Sequence, residues 1–225
     1  MHKAGTDLRI LLDQIEKILS TGIKAVGFVS PSHVVPQVKA IIKGLNSRGL
    51  RPVVVYNTSS YDKAEILRSL SGLIDVYLPD FKYFTPSLAL AYSEVYDYPE
   101  VAIKALREMY YQKGSVLRLD EEGGAEYGMI IRHLVLPGHV EESINVLELI
   151  AEELSPGVHL SLMSQYHPTS YVKNHPVLNR PLSREEYSIV VAAMHRLGFR
   201  NGWVQEMDSF QNYMPDFRKN HPFDY

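Results

Sequence analysis

No cysteine occurs among the 225 residues. This excludes disulfides, thiolate nucleophiles and any metal or cluster held by cysteine within this stretch. A reducing cytosol suits such a composition. Missing too is any run approaching the roughly 20 apolar residues of a membrane span, and the first residues form no signal-peptide pattern. The 23 Lys and Arg set against 26 Asp and Glu leave a net charge of −3. No basic block stands out of the kind that non-specific nucleic-acid binding uses, so neither nucleic acid nor membrane is an expected partner. Fixed-period repeats, low-complexity tracts and linkers are also missing. The length suits one large α/β domain with ample core, and the chain is generous in tyrosine (15) and histidine (9).

Along the chain, apolar runs of strand length alternate with amphipathic segments. Leu8, Leu11, Leu12, Ile15, Ile18 and Leu19 recur at helical spacing, with Thr6 as a suitable N-cap and Gly22 as a stop. The runs Ala25–Val29, Pro52–Tyr56, Ile74–Leu78, Met129–Leu136 and His159–Ser164 read as strands buried on both faces. Helices are predicted over 34–45, 63–70, 141–154 and 183–197, the last opened by the capping box Ser183-Arg184-Glu185-Glu186. Residues 86–111 hold one helix or a pair broken near Tyr98-Pro99, 116–128 a hairpin with a Gly-rich tip, and 203–205 a last short strand. This order predicts a parallel sheet in a barrel rather than an open sheet with one switch point. Residues 1–206 would form the domain and 207–225 an aromatic, proline-bearing tail.

The strands share a feature at their ends. Ile74–Leu78 runs into Pro79, Asp80 and Lys82. The others end in Ser30, Ser32 and His33; in Asn57, Thr58 and Ser59; in Arg132 and His133; and in Gln165, Tyr166 and His167. In a closed parallel sheet these ends face one mouth, so residues remote in sequence converge. Each has a bland reading: His33 as a helix start, His133 as a satisfied core histidine, Arg132 as an ion-pair partner, Asp80 and Lys82 as a solvated pair. A zinc hydrolase with His33, Asp80, His133 and His167 as ligands is a further possibility. It is weakened because Arg132 and His133 must point to opposite faces of their strand. A Schiff-base role for Lys82 lacks an apolar pocket to lower its pKa.

The ordered succession Val-Ser-Pro-Ser-His (29–33), Tyr-Asn-Thr-Ser-Ser (56–60), Asp-Val-Tyr-Leu-Pro-Asp-Phe-Lys (75–82), Ile-Arg-His-Leu-Val-Leu-Pro-Gly (131–138) and Leu-Met-Ser-Gln-Tyr-His-Pro (162–168) resembles the radical S-adenosylmethionine enzymes. The likeness is specifically to the branch that resembles pyruvate formate-lyase activating enzymes, over about residues 5–168. The resemblance implies a partial (β/α)6 barrel with parallel strands. It also implies a site for S-adenosyl-L-methionine built from Ser30, Ser32, His33, Asn57, Thr58, Asp80, Lys82, Arg132 and His167. Lys82 would meet the cofactor carboxylate, and His167 would lie near the adenosyl end. His133 falls on a variable position and reads as structural.

One departure is large. The family holds a [4Fe–4S] cluster with Cys-x-x-x-Cys-x-x-Cys, and these 225 residues offer no thiolate to bind it. The expectation is a fragment or truncated form lacking the first strand and the cluster loop, inactive as written. Its full-length counterpart would start hydrogen abstraction, with a glycyl radical enzyme as a possible protein substrate. A cluster-free barrel serving as a binding or regulatory subunit is the alternative. In either case Ala25–Val29 would present an open edge prone to self-association.

Overall fold

Helix α1 (Leu8–Leu19) and strand β1 (Ala25–Val29) open the structure, a computed structural model that describes residues 7–207. Then come α2 (Val35–Ser47), β2 (Val53–Thr58), α3 (Ala64–Arg68) and β3 (Val76–Pro79). Helices α4 (Pro86–Ser93) and α5 (Tyr98–Lys113) precede the hairpin strands β4 (Arg118–Leu119) and β5 (Ala125–Leu134). The chain continues through α6 (Val140–Glu153), β6 (His159–Met163), α7 (Arg184–Arg196) and β7 (Gly202–Val204). Residues 208–225, where the tail was expected, lie outside the described residues, as does Thr6. The N-cap of α1 is instead Asp7, whose carboxylate accepts from the Arg9 N–H at 2.8 Å.

The sheet runs β1-β2-β3-β5-β6-β7 with every neighbour parallel, and β4 folds back antiparallel on β5. Consecutive parallel strands joined by helical crossovers make the arc of a barrel. Among the described residues β1 and β7 close no ladder on each other, so the (β/α) barrel is partial. The expected hairpin is present, with β5 starting four residues earlier than the apolar run suggested. Its twist needs Gly128 (φ 133°), where an added Cβ would lie 2.5 Å from the Val116 carbonyl oxygen. The break inside 86–111 is real: Glu94 (φ 58°) ends α4 in a left-handed conformation, and Pro99 sits in the first turn of α5, where its missing N–H costs nothing.

One expectation is corrected. Strand β3 is buried on both faces, its adjacent Val76 and Tyr77 both being buried, but β1, β2, β6 and most of β5 are not. Val54, Tyr56 and Thr58 of β2, Ile131 and His133 of β5, and Leu160 and Leu162 of β6 are buried. Their alternates, Val53, Val55 and Asn57, Arg132 and Leu134, and Ser161 and Met163, are half-buried. An unclosed arc explains this: helices cover its outer face, while its inner face lacks the opposing strands that would dry it. The apolar look of the runs came from Val, Leu and Met on that inner face.

The outer-face core joins Tyr56, Tyr77, Leu106, Met109, Ile131, Leu147, Ile150, Leu162 and Val190 in one cluster. Each such side chain stabilises the fold by about 1.5–3 kcal/mol. The buried Tyr187 phenol donates to the Leu162 carbonyl at 2.8 Å. The capping box opens α7 as expected. Among the described residues no helix is long and apolar enough to cross a membrane.

Candidate functional site

Strand alternation places Asn57, Asp80 and Arg132 side by side on the inner face, at the C-terminal ends of β2, β3 and β5. Asp80 continues the register of β3 and bridges Arg132. The Arg132 guanidinium donates to Asp80 Oδ1 from Nε at 2.8 Å, with Nη2 2.6 Å from the same oxygen. Nη2 also donates to Asn57 Oδ1 at 2.7 Å. A planar fork suits this task, since it binds two strand ends at once. The Lys82 ammonium stands 3.6 Å from Asp80 Oδ2 and is 43% exposed along its side chain. It is therefore less committed to Asp80 than Arg132 is.

Asp80, Lys82 and Arg132 border a cavity of about 270 Å³. Its polar lining is Asp80, Lys82, Arg132 and Gln165, and its apolar lining is Leu134, Leu136 and Met163 beside Tyr83. Two cations face one carboxylate, so the wall carries an excess of one positive charge and favours an anionic group. The loop bearing Lys82 is held from two sides. The Lys82 N–H donates to the Tyr98 phenol oxygen at 2.9 Å. Beyond it, Glu142 of α6 accepts from the Phe84 and Thr85 N–H groups, both at 2.7 Å.

Of the residues nominated from sequence, Asn57, Asp80, Lys82 and Arg132 come together. Thr58 does not join them: it is buried on the helix face and donates to Asp62 Oδ2 at 2.5 Å, because adjacent strand residues face opposite ways. Ser30 (φ 50°) lies at the same end, its N–H donating to the Asn57 carbonyl at 2.8 Å. The next residues form a 3-10 turn, Pro31–His33, where Ser32 borders a separate depression with Tyr61, Asp62 and Asp97. His33 and His167 are exposed on loops. His133 is structural. Its ring is buried between the Phe81 carbonyl (2.7 Å) and the Ser143 hydroxyl (2.9 Å), and desolvation pushes its pKa down. The zinc hydrolase set is thereby separated, and no three His, Asp or Glu converge among the described residues.

Sequence reasoning passed over Tyr83, Leu134, Leu136 and Met163. Period-two counting from Arg132 reaches Leu134 and Leu136, and so held the signal. Tyr98 and Glu142 left no such trace, since each is one polar residue on a helix.

Among solved structures the chain is similar to a crystallised domain of a pyruvate-formate lyase-activating enzyme from Bacteroides vulgatus, with a TM-score of 0.55 at 14% identity, covering 80% of this chain and 98% of that one. The chain shares the fold of that domain. At this identity the likeness speaks for the fold alone. Among curated proteins, the chain is 31% identical over 164 residues to an uncharacterized protein of Methanocaldococcus jannaschii, a match covering 72% of this chain. The chain spans 44% of that relative's length. No family model matches.

Proposed function

We propose that this chain is the barrel portion of a radical S-adenosylmethionine protein of the activating-enzyme type, and that its polar mouth binds the methionine end of S-adenosylmethionine. The observation that carries the reading is the Asp80–Lys82–Arg132 group with Asn57, set at adjoining strand ends beside a cavity with excess positive charge. Lys82 offers a point charge to the ligand carboxylate. Asp80 Oδ2, turned from Arg132 toward Lys82, can accept from the ligand ammonium. Arg132 and Asn57 hold Asp80 in place. Ser30, Ser32, His33 and His167, on loops after β1 and β6, are proposed as outer contacts. Thr58 could act only through its main chain.

The [4Fe–4S] cluster of this fold does not fit the residues present. Its irons need thiolates, and none of the 225 residues is cysteine. When bound, such a cluster supplies the electron that cleaves the cofactor, and no step of that kind is assigned to this chain. What the chain's own residues support is binding, either beside thiolates from further polypeptide or as a cluster-free binding subunit. A glycyl radical enzyme as protein partner belongs to the first case.

Calorimetry with S-adenosylmethionine and S-adenosylhomocysteine tests the reading. Binding by both, weakened about tenfold or more by Lys82→Met, is expected. Failure of the wild-type chain to bind either at about 1 mM overturns it. An in-frame Cys-x-x-x-Cys-x-x-Cys upstream of Met1 in the coding DNA favours the first case, and a stop codon there the second.

A further inference from the structure

We infer that Tyr98, on α5 and remote in sequence from the strand ends, is a positioning residue that sets where Asp80 and Lys82 present their charges. Its phenol oxygen accepts the Lys82 N–H at 2.9 Å and stands 2.9 Å from the Ser59 carbonyl and 3.1 Å from the Asp80 carbonyl. The single hydroxyl proton is shared between those two carbonyls. One side chain thus joins the main chain just past β2 to the main chain on both sides of Phe81, at the point where β3 turns into the Lys82 loop. Beyond Asp80 that loop has left the ladder with β2; Phe81 still bonds to Arg132 and His133 of β5, and Tyr98 holds the main chain on either side of it.

The packing makes this a fixed post rather than a passing contact. Tyr98 is 3% exposed, its ring stacked against Tyr61 and Phe81 and edge-on to Tyr83, which itself lines the cavity. Burial also pushes the phenol pKa far above its usual value, so the donor is always present. The ring carries the packing and the hydroxyl the alignment, and Tyr98→Phe separates the two.

The experiment has two arms. The first compares amide hydrogen exchange in wild type and Tyr98→Phe. Lys82 should exchange about tenfold faster or more, while Leu160 and Leu162 in the core stay unchanged. Uniform acceleration, or none at Lys82, overturns the inference. The second arm rests on the reading proposed above and uses S-adenosylhomocysteine as probe. Tyr98→Phe should weaken binding about tenfold, but cost much less in a Lys82→Met background, because its effect runs through Lys82. Equal losses in both backgrounds would mark a merely structural role and overturn the inference. Should wild type bind no probe while Lys82 exchange responds locally, the ligand reading fails and the positioning role is supported.

Discussion

Replacing Arg132 by methionine keeps most of the side chain's length and removes its charge, which tests whether the polar mouth also holds the sheet together. The guanidinium contacts Asp80 through two nitrogens and Asn57 through one, tying β2, β3 and β5 where their ladders end. Exposed ion pairs contribute about 0–1 kcal/mol, whereas removing one partner from a fully buried pair costs about 3–5 kcal/mol. Here the side chains of Arg132 and Asp80 are 27% and 21% exposed, so the expected loss is intermediate, about 1–2 kcal/mol. Urea unfolding should register it as a midpoint about 0.5 M lower, given an m-value near the upper end of about 1–3 kcal/mol per M. Asp80→Asn should cost a similar amount, and the double variant should cost less than the sum by about 1 kcal/mol. Lys82→Met serves as the control. Its ammonium is 3.6 Å from Asp80 and more exposed, so stability should change by under about 0.5 kcal/mol. An Arg132→Met midpoint equal to wild type, or strict additivity with Asp80→Asn, would refute the reasoning.

Acid should weaken the fold in two windows. His133 has its pKa pushed down by burial, so it is neutral in the folded state and takes up a proton on unfolding. The stability this brings is present above the unfolded value near 6.5 and is lost as pH falls below it, by up to about 1.4 kcal/mol per pH unit. Urea midpoints measured between about pH 7.5 and 5.5 should show this slope, reduced in His133→Gln. His139 and His159, lowered the same way by burial, keep part of it. The second window belongs to Glu186, held well below the usual carboxylate range by hydrogen bonds from Arg180 and from the Ser183 and Gly138 N–H groups. Its contribution is present above about pH 4.3 and is lost as pH falls toward its folded value, a loss that Glu186→Gln should abolish in acid titrations. Gly202→Ala should detach β7. The residue has φ 114°, and a Cβ there would lie 2.0 Å from the Leu160 carbonyl oxygen. Because Trp203 is the single tryptophan, fluorescence reports on that strand, and its emission should shift while the far-UV dichroism of the helices persists.

The alternation of strand and helix was legible because each strand carries a short apolar run closed by Ser, Asn, Pro or Gly, and each long helix an apolar stripe. Sequence also led to the expectation of one shared mouth, where Asn57, Asp80, Lys82 and Arg132 do come together. It did not show which face of each strand looks where. Asn57 and Thr58 both read as mouth residues, yet a period of two sends one to Arg132 and the other to Asp62, and only the buried Tyr56 beside them fixes the phase. The half-open inner face was hidden for a related reason. Val53, Val55, Leu134 and Met163 are as apolar as the core residues they alternate with, so composition could not tell a wetted face from a dry one. Tyr98 and Glu142 act on main-chain atoms, which any sequence offers at every position, so nothing local announced them.

The mouth residues divide by what they touch. Arg132 spends its Nε and Nη2 donors on Asp80 and Asn57, so a barrel that binds no cofactor would still gain from keeping it. Lys82 is placed otherwise: among the described residues its one ion pair is a long contact with Asp80, while its main chain is gripped by Tyr98 and its neighbours by Glu142. A loop pinned on both sides of a half-exposed ammonium is poorly explained by stability, since the ammonium returns little to the fold. It is well explained by a need to present that charge at one place beside the cavity. The test follows from this split. If Arg132→Met lowers stability while Lys82→Met lowers ligand binding and leaves stability intact, the mouth is a working site even without thiolates. If both substitutions act on stability alone, the mouth is a structural remnant of the barrel.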